Sequence, residues 1–201
     1  MSVLHRTARA GALALVLAMS SGWSAEAAGR DVGGRPPGQF DFYVLSLSWV
    51  PGFCATHGRR PEECGTGRGF ALHGLWPQLN GGDYPTDCGA ATLSPSDTQR
   101  YQGLYADPSL IAHEWPKHGT CSGLAPAGYF ALSARDVRRV RIPAAYGPNT
   151  VLTAADARAV KSAFMAANPG LSFDAMTTVT VKGVLTGVDV CMTKRGDFRP
   201  C

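Results

Sequence analysis

Phe40-Asp41-Phe42-Tyr43-Val44-Leu45-Ser46-Leu47-Ser48-Trp49-Val50 sets large side chains at Tyr43, Leu45, Leu47 and Trp49 against the small Ser46 and Ser48. A period of two puts the large set on one face of an extended chain, so the stretch reads as a strand with that face in a core. Pro51-Gly52 ends it, and the Gly-, Pro- and charge-rich segment Cys54 to Gly69 reads as a disulfide-closed loop. Phe70 to Leu75 reads as a second strand, which places His73 on a rigid sheet. Near the other end, TTVTVKGVL (177–185) and GVDVCMT (187–193) read as strands again.

Helices are expected between these strands. The loop from Leu79 to Ala91 gives way to Ser94-Pro95, an N-cap followed by Pro at the first helical position, opening a helix through about Tyr105. A second helix follows Asp107-Pro108 and carries HEWPKHG. Apolar recurrence predicts a third over about Ala127 to Val140 and a fourth over Thr153 to Ala167. The last is capped by Thr153, has Asp156 in its first turn and stops near Pro169-Gly170. Helices and strands mix without βαβ alternation, which implies an α+β class: a central, largely antiparallel sheet with packed helices.

Arg6 and Arg9, the apolar run Gly11 to Met19 and the small-x-small Ala25-Glu26-Ala27 have the pattern of a signal peptide over residues 1–27. The run is too short to span a bilayer, so the mature protein, starting at Ala28, is expected to be periplasmic or secreted and free of the membrane. No repeat or linker divides residues 28–201, which read as one domain with an irregular Gly/Pro/Arg arm over 28–39. The formal net charge of +4 falls only slightly with the leader; such a surplus is compatible with a polyanionic substrate without requiring one.

All six cysteines lie beyond the leader, and an even count in an exported protein reads as disulfides. Spacing favours the local pairs Cys54–Cys64 and Cys191–Cys201 and leaves Cys88–Cys121. No CxxC spacing supports a zinc ribbon or a thioredoxin-like site.

Three of the histidines beyond the leader fall in two short segments, Ala71-Leu72-His73-Gly74-Leu75-Trp76-Pro77 and His113-Glu114-Trp115-Pro116-Lys117-His118-Gly119-Thr120-Cys121. Zinc is the first rival to exclude. Metalloprotease ligands lie four apart on one helix face, whereas His113 and His118 are five apart and diverge by roughly 140° on an ideal helix. Pro116 interrupts that helix and Lys117 repels a cation, so no metal or cofactor is expected. Acid/base chemistry on an anion uses every residue instead. Lys117 and a protonated His hold phosphate, and Glu114 tunes a neighbouring imidazole and raises its pKa. His73 arrives from a separate strand to face His118 across the reacting atom, giving a base and an acid. His57, alone in the Cys54–Cys64 loop, reads as structural.

These segments resemble the ribonuclease T2 family, whose two active-site motifs look like HGLWP and HEWxKHGTC; both stand unbroken at His73 to Pro77 and His113 to Cys121. FDFYVLSLSW followed by Cys54, YPTDC at Tyr84 to Cys88, and VDVCM with the closing Cys201 extend the similarity over nearly the whole mature chain. The resemblance implies a metal-independent endoribonuclease acting on single-stranded RNA, with His118 as general base, His73 as general acid, His113 as phosphate ligand, and Glu114 and Lys117 stabilising the pentacoordinate transition state. DNA, lacking the 2′-OH, would not be cleaved. It also implies that Trp76 and Tyr84 sandwich a base. Some relatives that favour adenine carry Asp where this chain has Gln78; an amide both donates and accepts, so broad specificity is expected. Trp49 and Trp115 read as packing, and Pro116 falls at a variable motif position. A monomer is expected. The absence of a glycosylation sequon beyond the leader, with the Ala-rich leader itself, favours a bacterial exported enzyme.

Overall fold

A computed structural model of the chain describes residues 29–58, 63–89, 92–147 and 156–201. The expected signal peptide and the Thr153 cap lie outside the described residues. Four strands, β1 (Phe42–Trp49), β2 (Phe70–Gln78), β3 (Met176–Val181) and β4 (Val184–Met192), form one antiparallel sheet in the order β2-β1-β4-β3. Around it pack α1 (Val50–His57), α2 (Pro95–Tyr101), α3 (Leu110–Lys117), α4 (Pro126–Arg139) and α5 (Ala157–Ala167). The fold is α+β with a largely antiparallel sheet, as the pattern of elements predicts.

The period-two reading of β1 holds: Tyr43, Leu45, Leu47 and Trp49 lie in the core with Trp115, Tyr129, Phe130 and Phe164. Trp49 and Trp115 are packing residues, each at most 1% exposed. The opposite face carries Val44, Ser46 and Ser48, and the two serines are buried as well. This second face forms the floor of the site described below.

One expectation fails at α1, where a helix replaces the predicted loop. Pro51 does not stop the chain; it occupies the first helical turn, where no intrahelical N–H bond is lost. Gly52 is a packing residue, since a Cβ there would stand 1.7 Å from the carbonyl oxygen of Leu185 on β4. β2 runs three residues past the expected Leu75. Pro77 is tolerated because β2 is an edge strand, with no second neighbour asking for its missing N–H. The helix opened by Ser94 is shorter than expected, with Gln102–Leu104 tightening to a 3-10 turn; Ser94 Oγ accepts from Asp97 N at 3.0 Å as an N-cap should. At α5, Asp156 is itself the cap, accepting from Arg158 N at 2.9 Å.

The three disulfides pair as the spacing favours. Cys88–Cys121, bridging 33 residues, closes the largest loop, and chain entropy assigns such a closure about 3–4 kcal/mol. The N-terminal arm is irregular but tethered: Val32 N donates to Tyr84 O, Tyr84 N to Arg30 O, Gly34 N to Thr86 O and Gly38 N to Cys121 O. Among the described residues no helix is long and apolar enough to cross a membrane.

Candidate active site

A β-bulge aims His73. Ser46 pairs with Gly74 and Leu47 with Leu72, so His73 is the unmatched residue of β2. Bulges bend a strand and redirect a side chain, and here the imidazole turns toward β1, where Ser48 Oγ lies 3.3 Å from Nδ1. Next to it, Gly74 has no side chain for a reason. A Cβ there would sit 2.2 Å from both Glu114 Oε2 and Trp76 Nε1, so the carboxyl of α3 rests on the bare backbone of β2.

α3 supplies the second segment. Its buried Ile111 and Trp115 anchor it to the core. Pro116 is accommodated, and His118 caps the C-terminus at φ −116, ψ −43, with its N–H donating to Glu114 O at 3.0 Å. That departure from helical geometry corrects the 140° divergence expected between His113 and His118. Their ring centroids are 6.5 Å apart, and the candidate ligand atoms of His113, Glu114 and His118 all lie within 4.8 Å of one another. The set still fits a metal poorly. Glu114 Oε2 already accepts from the indole of Trp76 at 2.9 Å, its carboxyl holds its proton to about pH 8, and Lys117 lines the same cleft.

The cleft has a volume of about 450 Å³. His73, Trp76, Gln78, Tyr84, His113, Glu114, Lys117 and His118 all line it, so every catalytic or substrate-binding residue expected from the sequence is brought together. His57 is elsewhere, exposed and stacked on Phe53 at the end of α1. The Trp76 ring neighbours both His73 and His118, 5.4 Å from each ring centroid to centroid. Sequence patterning missed Gly29, Val44, Gly82 and Asp189, which complete the lining. Gly29 and Gly82 form a wall of backbone against backbone, and a Cβ on Gly29 would collide with Gly82 O.

Burial dominates the electrostatics. His118 is pushed down to about 3 by desolvation and by the cations Lys117, His113 and His73, with Asp31 of the arm opposing. His73 is lowered by burial and then by His113. Glu114, fully buried, is raised to about 8 by desolvation against the opposing Trp76 hydrogen bond and Lys117. The expectation that Glu114 raises an imidazole's pKa is therefore corrected: its partner is an indole, both catalytic candidates are depressed, and the carboxyl itself is neutral at pH 7. A neutral base, a buried acid and a cation facing one cleft can move protons on either side of a bound anion.

Known proteins bear on the same residues. The model of the Ribonuclease T2 family matches residues 40–201, from β1 to the last disulfide and through both histidine segments. A ribonuclease of Aeromonas hydrophila is 45% identical over 104 residues, 52% of this chain and 47% of its own; the chain spans about half the length of the curated relatives it matches. An RNase-related protein from Calystegia sepium shares the fold at a TM-score of 0.66 and 19% identity, over 81% of this chain and 90% of its own. A mutant of RNase MC1, an enzyme of bitter gourd seeds, solved in complex with 5′-UMP, does so at 0.62 and 26% identity, over 81% and 93%. With the match running through β1, the bulged His73 and the capped His118 alike, the chain belongs to the ribonuclease T2 family.

Proposed function

We propose that the chain is an exported, metal-independent endoribonuclease that cleaves single-stranded RNA. The observation carrying this reading is that His73 and His118, each with its ring 5.4 Å from that of Trp76, share one cleft that also holds Lys117 and Glu114. In-line displacement needs a base at the entering oxygen and an acid at the leaving one.

His118, held neutral by burial, takes the proton of the ribose 2′-OH. The 2′ oxygen bonds to phosphorus, the bond to the 5′ oxygen breaks, and protonated His73 gives its proton to that oxygen. The products are a 2′,3′-cyclic phosphate and a 5′-OH. In the slower second step His73 takes a proton from water, the water oxygen bonds to phosphorus, the bond to O2′ breaks, and His118 returns a proton to it, leaving a 3′-phosphate. An anionic phosphate in the cleft favours protonated His73 and offsets its depressed pKa. His113 and Lys117 hold the phosphate oxygens. Glu114 acts in its neutral form: Oε2 is held by Trp76, while buried Oε1 has no partner among the described residues and is free to donate to the charge that develops in the transition state.

Trp76 and Tyr84 stack on a base, and the Gln78 amide tolerates several edges. A signal peptide over residues 1–27 directs the protein to the periplasm or beyond, where residues 28–201 act as a monomeric catalytic domain. The test is incubation with RNA and with single-stranded DNA in excess EDTA, followed by identification of product ends. Cyclic-phosphate ends on RNA with DNA intact are expected. Abolition by chelator would sink the metal-free mechanism, and intact RNA would leave a binding protein.

A further inference from the structure

One acidic residue of the cleft has no part in this mechanism. Asp189 on β4 pairs with Ser46, which on its other side pairs with Gly74, the residue that seats Glu114. Two strand spacings separate β2 from β4, roughly 10 Å. Across the small floor of Gly74 and Ser46, then, stand two carboxyls, each with one buried oxygen that meets no donor among the described residues: Glu114 Oε1 and Asp189 Oδ1. Asp189 makes no ion pair among the described residues; burial pushes its carboxyl up to about 6, with only the Ser46 hydroxyl favouring the charged form, so that it stands as a carboxylate at neutral pH. A buried acceptor without a donor weakens a fold unless a ligand supplies one, so a carboxyl placed this way in a cleft is a contact awaiting its partner.

The partner is constrained by charge. A phosphate would be repelled by charged Asp189 and is drawn instead to His113 and Lys117 of α3 in the same cleft. What remains on a nucleotide is the donor edge of a base. Guanine presents two adjacent donors, N1–H and the 2-amino group, which match a carboxylate's two oxygens. Adenine and cytosine pair their amino group with a ring nitrogen whose lone pair opposes the second oxygen. Uracil offers one N–H between two carbonyls.

We propose that Asp189 reads a base in this cleft and adds a guanine preference to otherwise tolerant stacking. The proposal rests on the ribonuclease reading and refines its broad specificity. It is tested with the full mature protein and Asp189→Asn on dinucleoside monophosphates that place G, A, C or U on either side of the scissile phosphate, together with direct titration of 5′-GMP and 5′-AMP. Wild type should favour guanine at one of the two positions by about tenfold or more, with the same order in nucleotide affinity. Asp189→Asn should lose most of that ratio while changing kcat/KM on adenine by less than about twofold. An unchanged ratio, or an equal fall on every base with a lowered melting temperature, would overturn it. If wild type cleaves no RNA, the ribonuclease reading fails, and the GMP/AMP affinity ratio of the two proteins still decides the role of Asp189.

Discussion

The indole N–H of Trp76 donates to Glu114 Oε2 at 2.9 Å, directly over Gly74, and at this bond the two histidine segments meet. It fixes the plane of a ring that stands 5.4 Å from both His73 and His118, so the spacing of the proposed acid and base is set by a carboxyl that is neither. Trp76 is thus neither a plain core residue nor a free stacking platform. A single hydrogen bond does not offset the burial of a charge, which is why the Glu114 proton persists to about pH 8.

Replacing Trp76 with Phe keeps an aromatic face and removes the donor. Glu114 Oε2 would join Oε1 without a partner. Loss of one hydrogen bond to a group of this kind should lower kcat/KM by about tenfold to a hundredfold, while affinity for a 5′-nucleotide, which reads stacking, changes far less. Steady-state kinetics beside a nucleotide titration separate the two; an equal loss in both would show that Trp76 serves stacking alone.

Much of this arrangement was legible in the chain before folding. The alternation at Tyr43 to Trp49 exposed the core face of β1, and two compact segments held the candidate proton-transfer groups. What escaped did so for physical reasons. The bulge at His73 depends on pairing with β1, which no local pattern of β2 encodes. The helix at Val50–His57 hides behind a Pro and a Gly that usually mark turns; here one starts the helix and the other admits the Leu185 carbonyl. The approach of His113 to His118 follows from the last residue leaving helical geometry, whereas ideal periodicity sends them apart. Asp189, alternating with Val188 and Val190, has the pattern of any strand with one polar face, and only the folded sheet turns that face into a cleft.

The depressed imidazoles predict an acid optimum. As the proposed proton donor of the first step, His73 must be charged, and its value lies below the ordinary 6.5. His118 must be neutral, which holds above about 3. The profile of kcat/KM should therefore peak on the acid side of 6.5 and fall as pH rises toward neutrality. His113→Ala removes a charge that holds His73 down, so the alkaline limb should move to higher pH. A limb that stays in place in this mutant would contradict the coupling.

Keeping Glu114 buried ties the stability of the fold to pH. Its folded value of about 8 lies above the ordinary 4.5, so the folded chain keeps a proton that the unfolded chain sheds; the contribution is whole below 4.5 and is lost as pH climbs through 8. His118 has the opposite sign, its contribution being whole above 6.5 and lost as pH falls toward 3. Glu114→Gln should consequently melt higher than wild type at pH 9, by about 2–4 °C or more, with the gap closing toward pH 4.5. Thermal melts across that range check it, and a gap independent of pH would mean that the carboxyl is not protonated in the folded state.

Gly74→Ala is the sharpest probe of the junction. The backbone of an edge strand accepts alanine, but the new Cβ would stand 2.2 Å from both ends of the Trp76–Glu114 bond and must part them. Displacing a positioned group by about 1 Å costs on the order of a hundredfold in rate, so kcat/KM should fall by about that factor with the disulfides and the circular dichroism spectrum intact. Gly103→Ala is the control, because nothing lies within 4 Å of a Cβ there and its activity should match wild type. Wild-type rates in Gly74→Ala would mean that the two segments are held together by something other than this contact.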